Sequence, residues 1–148
     1  MAQSPLPVVI QGGMGVGVSC WQLAKAVSKL GQLGVVSGTA LDQVMVRRLQ
    51  QGDFGGNVRR ALAAFPLSEM AQRIHDEFFV EGGVPQGKSL KNVPMLLTTS
   101  PKELVELVVV SNFVEVFLAK EGHDGLVGVN YLEKIQLPTI PALFGALI

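Results

Sequence analysis

Pro7-Val8-Val9-Ile10-Gln11-Gly12-Gly13-Met14-Gly15-Val16-Gly17-Val18-Ser19 sets the fold, because an apolar run passes straight into a glycine-rich loop. Residues 7–11 fit a short strand buried on both faces. The glycines after it permit positive φ and let the backbone come close to a ligand. Ser19 with Gln22 three residues on spells a capping box, so a helix is predicted to open there. Along it Trp21, Leu23, Ala24, Val27 and Leu30 place most of their bulk on one face, and Gly31 suits the C-terminal cap. Leu33-Gly34-Val35-Val36-Ser37 then reads as a second buried strand, ending at Gly38-Thr39. Strand, loop, helix and strand within roughly 30 residues make a βαβ unit, with parallel strands and a right-handed crossover.

Working outward, the pattern predicts a helix over Leu41–Gln51 with Arg47 and Arg48 outward, then a turn at Gly52-Asp53-Phe54-Gly55-Gly56. Asn57 to Phe65 reads as a helix stopped by Pro66, and Ser68 caps another that runs to about Phe78. Phe79 through Val93 reads as a loop of low order, and Pro94–Leu97 as a short strand or an extended connection. Ser100-Pro101-Lys102-Glu103 is a strong helix start, predicting a long helix to Lys120. Val114, Val116 and Leu118 also alternate, so a helix followed by a strand is the second reading. Leu126 to Leu132 gives a third parallel-type strand with Asn130 in its outgoing half, and a final helix opens near Thr139.

The 148 residues have room for one domain. Hydrophobic residues are 48% and charged residues 16%, which supports a sizeable core and excludes wholesale disorder. Twelve Lys+Arg balance twelve Asp+Glu, weighing against a nucleic-acid partner, whose footprint is a basic excess. One cysteine, Cys20, excludes an internal disulfide framework and a cysteine-based zinc site, and His75 with His123 cannot build a metal cage. Met1-Ala2-Gln3-Ser4-Pro5 lacks the basic and apolar regions of a secretory leader. No apolar stretch reaches the ~20 residues of a membrane span, since Leu104–Ala119 contains Glu106 and Glu115. A cytoplasmic protein with no membrane partner is the expectation. Mean hydropathy is nevertheless +0.38, and Leu137–Ile148 carries no charge. Either a terminal helix docks into a core, or the chain is a piece of something larger.

Gly82-Gly83-Val84-Pro85-Gln86-Gly87-Lys88-Ser89 fits the phosphate-loop spelling, but its context does not. That loop must join a buried strand to a helix, so that amides point at phosphate. Here acidic residues precede it and Pro94 follows too soon for a helix. The first glycine loop has the right context and the wrong spelling. A dinucleotide fingerprint would need glycine where Val18 or Cys20 stands, and a phosphate loop would need a lysine. A tight turn without a ligand and a ligand-binding loop both remain open at this point. Cys20 near a helix start reads as a buried structural thiol, His75 as solvated, and His123 as a turn residue complementing a helix dipole. Arg59 and Arg60 read as a solvated face. Met14, flexible and apolar within a glycine loop, would suit a flat, partly apolar ligand such as a flavin ring.

Residues 9–19 and 33–39 together resemble the opening of the nitronate monooxygenase (2-nitropropane dioxygenase) family. Leu118-Ala119-Lys120-Glu121-Gly122-His123-Asp124 and Gly128-Val129-Asn130-Tyr131-Leu132-Glu133-Lys134 resemble a long bacterial branch related to the FMN enoyl reductases of lipid synthesis. The resemblance implies an α/β fold, the N-terminal portion of a (β/α)₈ TIM barrel with about three parallel strands. Residues 1–148 would form that partial domain, with a helical insertion at about 53–100. It implies FMN as cofactor, with Gly12, Gly13, Met14 and Gly15 packing backbone and sulfur against the flavin, and Asn130 donating a hydrogen bond to it. Gly38 and Thr39, at the mouth of the second strand, would form part of the site wall.

A whole barrel needs ~250 residues. The resemblance therefore implies that the catalytic histidine and the FMN-phosphate turns belong to later strands, so no catalytic residue is assigned within this chain and its partner would be the missing C-terminal half. The implied reaction is oxidation of a nitronate by O₂, with the chain alone an inactive fragment. Two alternatives stand beside it: reduction of an enoyl thioester on the same fold, and a non-catalytic α/β interaction module.

Overall fold

The computed structural model describes residues 6–148; the expectation for Met1–Pro5 lies outside the described residues. In chain order the elements are α1 (Trp21–Lys29), β1 (Gly34–Ser37), α2 (Leu41–Gln50), α3 (Asn57–Ala64), α4 (Ser68–Phe78), α5 (Lys102–Lys120), β2 (Val127–Asn130) and α6 (Thr139–Leu147). The fold is mixed α/β. β1 and β2 pair in parallel, Gly34 with Val127 through to Ser37 with Asn130. Among the described residues no helix is long and apolar enough to cross a membrane.

Every residue of β1 is buried, and alternation divides them between two faces. Val36 packs with Ala24 of α1 and Ala119 of α5, surrounded by Val116, Val127 and Val129. α1 lies so close that a Cβ on Gly34 would fall 1.9 Å from the Ala24 carbonyl oxygen. Leu33, Val35, Gly128 and Asn130 share the opposite face. Val8, Val9 and Ile10 beside it are more than half exposed. Parallel sheets ordinarily bury both faces.

The expected first strand is reduced to a single bridge, Ile10 to Leu33. Leu33 donates to the Val9 carbonyl at 3.1 Å, and Gln11 N–H donates to the Leu33 carbonyl at 3.0 Å. The ladder stops there for a physical reason. Upstream, the amides of Val8 and Val9 are taken by Gln32 Oε1 at 3.0 and 2.7 Å. Downstream the chain leaves the sheet at Gly12, and the Val35 amide meets the Gln11 side chain instead of backbone.

The larger core lies among helices, not on the sheet. Met45 and Leu49 of α2, Val58 and Leu62 of α3, Ile74 of α4 and Val110, Val114 and Leu118 of α5 form one buried cluster. Each fully buried leucine or valine there contributes about 1.5–3 kcal/mol relative to exposure. α3 and α4, from the stretch read as an insertion, thus help build the main core. α5 is one continuous 19-residue helix, so the helix-plus-strand reading of this stretch is corrected. It is buried nearly all round, which erased the stripe that separates a helix from alternation.

Other expectations change in detail. Ser19 is not the cap of α1: Cys20 holds that position with no side-chain cap, and the Trp21 amide donates to Glu115 Oε1 of α5 at 2.7 Å. Cys20 is half-buried, not fully buried. Arg48 does not face outward but pairs with Glu115 at 2.5 Å. Ser100 does not cap α5; its hydroxyl accepts the Leu97 amide at 2.7 Å. Pro94–Leu97 forms no strand and pairs with no sheet, so the short-strand reading is corrected.

Candidate functional site

The glycine loop is held open at its two ends by side chains. Gln11 Oε1 accepts the Val35 amide at 2.9 Å, while its Nε2 donates to the Ser19 hydroxyl. Ser19 in turn gives its carbonyl to the Ser37 amide at 2.9 Å. Loop residues 12–18 are therefore slung between two points fixed on β1. Within the loop, Gly15 at φ +87° turns the chain so that Val18 and Ser19 both donate to its carbonyl at 3.1 Å.

Gly13 is needed at its position on two counts. Its φ is +63°, and a Cβ there would lie 2.5 Å from Val35 Cγ1 and 2.8 Å from Asn130 Cβ. That close approach brings the loop onto Asn130, the last residue of β2. Asn130 Nδ2 points to the Gly12 carbonyl at 3.3 Å, the Gly13 carbonyl at 3.4 Å and Met14 Sδ at 3.4 Å. Oxygen facing those carbonyls would repel them, so the amide nitrogen belongs there. Asn130 Oδ1 accepts no hydrogen bond among the described residues. Met14 itself stands 73% exposed, with Gly12, Gly15, Val16 and Val18 also exposed around it.

Gly38 and Thr39 belong to a neighbouring space. The Gly38 amide donates to the Asn130 carbonyl at 2.9 Å, which joins the two regions through backbone. Beyond it opens a cavity of about 490 Å³, lined by Gly38 to Gln43, by Met95 and Leu96, by Val108 and Asn112 of α5, and by parts of residues 131–142. Most of its polar groups are already committed. Gln43 Nε2 donates to the Val93 carbonyl at 2.6 Å, and Asn112 Nδ2 to the Val108 carbonyl at 2.9 Å. Tyr131 O–H lies 3.2 Å from Asn112 Oδ1 and 3.0 Å from the Ala142 carbonyl, and burial pushes its pKa up to about 12. Thr139 donates to the Ile135 carbonyl at 3.2 Å. Asp42 differs in kind, a charged group with no cationic partner among the described residues: burial pushes its carboxyl above the ordinary value, against the pull of the Gln43 and Asp42 backbone amides that hydrogen-bond to it at the start of α2.

Both regions lie at the carboxyl ends of the parallel strands, where such sheets place ligands. Of the residues singled out in the sequence, Gly12, Gly13, Met14, Gly15 and Asn130 meet in one place. Gly38 and Thr39 line the adjoining cavity. Gln11, Ser19, Asp42 and Tyr131 were not foreseen as site residues. Gln11 offered a faint signal, a polar side chain closing an apolar run; Asp42 offered only an acid in a first helical turn.

The remaining candidates take structural places. The 82–89 stretch lies in a long loop between α4 and α5, without the strand before it or the helix after it that phosphate binding requires. His123 Nε2 meets the Ala119 carbonyl at 2.6 Å and its Nδ1 accepts the Gly125 amide, closing the end of α5. His75 pairs with Asp76 at 2.9 Å and stacks on Phe79. Arg59 and Arg60 are exposed and paired, with Asp53 and Glu121 respectively. Comparison with protein-family models, with curated protein sequences and with solved structures finds no match for this chain.

Proposed function

We propose that this chain is the N-terminal part of an FMN-dependent (β/α)₈ oxidoreductase of nitronate monooxygenase type, with the glycine loop and Asn130 as one wall of the flavin site. One observation carries the reading. Met14 and Asn130, 116 residues apart in sequence, stand together at the strand ends with the methionine turned to solvent. A self-contained turn has no use for an exposed methionine sulfur held against an amide. A planar ring, apolar on its face and polar on its edge, has use for both.

The residues present suit such a ring. Gly13 keeps the loop backbone low because no side chain fits above Val35. Met14 and Val16 offer apolar surface, and Asn130 Oδ1 is free to accept an N–H from the ring edge. The role expected for Asn130 as a donor to the ring changes accordingly: its donor steadies the loop, and its acceptor is what remains. When bound, FMN would supply two-electron exchange with an activated carbon acid and with O₂. This chain's share is to seat and orient the ring. The face of the sheet opposite α1, where Leu33 and Gly128 stay partly exposed, supports the barrel part of the reading, since a closed barrel would bury it.

Riboflavin titration, followed by flavin fluorescence, tests the ring site without needing the phosphate. Quenching that saturates for the wild-type chain, and weakens at least about tenfold in Gly13→Ala and Asn130→Ala chains of unchanged circular dichroism, is the expected result. Equal quenching by all three folded chains overturns it. FMN is not expected to survive gel filtration on the 148-residue chain alone; stoichiometric retention would refute the fragment part of the proposal.

A further inference from the structure

We propose that the cavity beside the strand ends binds an organic cation, an apolar molecule carrying one protonated amine that pairs with the Asp42 carboxylate. The inference goes beyond the flavin reading and does not depend on it, because neither Gly13 nor Asn130 lines this cavity.

A volume of about 490 Å³ falls within the range of small-molecule sites. The lining is mainly apolar, and the hydrogen bonds described above occupy Gln43, Asn112, Tyr131 and Thr139. Three ionisable residues line the space: Asp42, Tyr131 and Lys134. Tyr131 stays neutral across ordinary pH. Lys134 is exposed, so its charge is solvated, and it forms no ion pair with Asp42. Asp42 is the charge withdrawn from water, and among the described residues it has no cationic partner.

A partly buried carboxylate held only by backbone amides, with no cation beside it, still carries a desolvation cost, and a ligand that neutralises it recovers that part as affinity. An anion would gain only from Lys134, whose charge water already screens. An ammonium has three donors to place. The Asp42 carboxylate takes one, and Thr39, which lines the same cavity, has a hydroxyl able to accept another.

Isothermal titration of the full chain with hexylammonium, hexan-1-ol and hexanoate tests the assignment. At about pH 7 the ammonium should bind at least about tenfold more tightly than the alcohol, and the carboxylate more weakly than either. Asp42→Asn should bring the ammonium down to the level of the alcohol, Lys134→Ala should not weaken it, and Asn130→Ala should leave it unchanged. Acidification should erode the ammonium preference of the wild-type chain as Asp42 takes up a proton, a readout that needs no variant to fold. Tightest binding by hexanoate, an ammonium preference that survives Asp42→Asn, or no saturable binding of the ammonium overturns the proposal. Loss of riboflavin quenching with ammonium binding intact would sink the flavin reading alone.

Discussion

Asp42 also makes a stability statement. Folding raises its pKa, so ionisation opposes the native state. Below the ordinary value of 3.8 the carboxyl is protonated in both states and the penalty is absent. It grows as pH climbs from there through the raised native value, and is complete above it. Asp42→Asn should therefore raise Tm at about pH 7, with the gain over wild type shrinking toward about pH 3. Thermal melts of both chains across that range check this, and a pH-independent difference contradicts it. Ala40 next door sits at φ +55°, a conformation that costs a residue with a Cβ about 1 kcal/mol. Strain and a partly buried acid two residues apart on one cavity wall fit a ligand site better than a merely packed one.

Among elements, the tie between α1, α2 and α5 matters most. Glu115 is buried, accepts the Trp21 amide, and pairs with Arg48. Removing one member of a buried pair costs about 3–5 kcal/mol; Arg48 keeps 24% of its side chain exposed, so Arg48→Ala should cost about 2–3 kcal/mol. Urea denaturation measures it, and a loss below about 0.5 kcal/mol would show that water screens the pair. This tie also marks where sequence ran out. Helix starts at Leu41, Asn57 and Ser68 were legible from the glycines and prolines before them, although Ser68 is not the cap of α4: it is the first helical residue, Leu67 holds the cap position, and no side chain caps it. The start of α1 was misread because its cap arrives from 94 residues away, while the obvious local candidate, Ser19, is spent on Gln11. The loop–Asn130 pairing was expected only through family resemblance, since no local rule links residues 116 apart.

At the scale of the molecule, apolar surface is unevenly placed. Ile140 and Leu147 of α6 are at least 80% exposed and Phe144 57%, although Gly145 on the same helix packs so tightly that a Cβ would meet the Val109 carbonyl oxygen at 2.0 Å. One side of α6 is thus locked to α5 and the other is bare. Exposed apolar patches of this kind drive association. Phe144→Lys with Leu147→Lys should lower self-association in sedimentation velocity at rising concentration while leaving circular dichroism unchanged. Identical sedimentation of the two chains would rule out that face as the cause.

The reach of Glu115 also has a consequence in time. A ribosome working at about 5–20 residues per second needs about 5–19 seconds to travel from Trp21 to Glu115, since 94 positions separate them. Throughout that interval the amide at the head of the first helix has no carboxylate to receive it. Nascent chains arrested before codon 115 should be cut by protease near Trp21, and those arrested well past it should be protected.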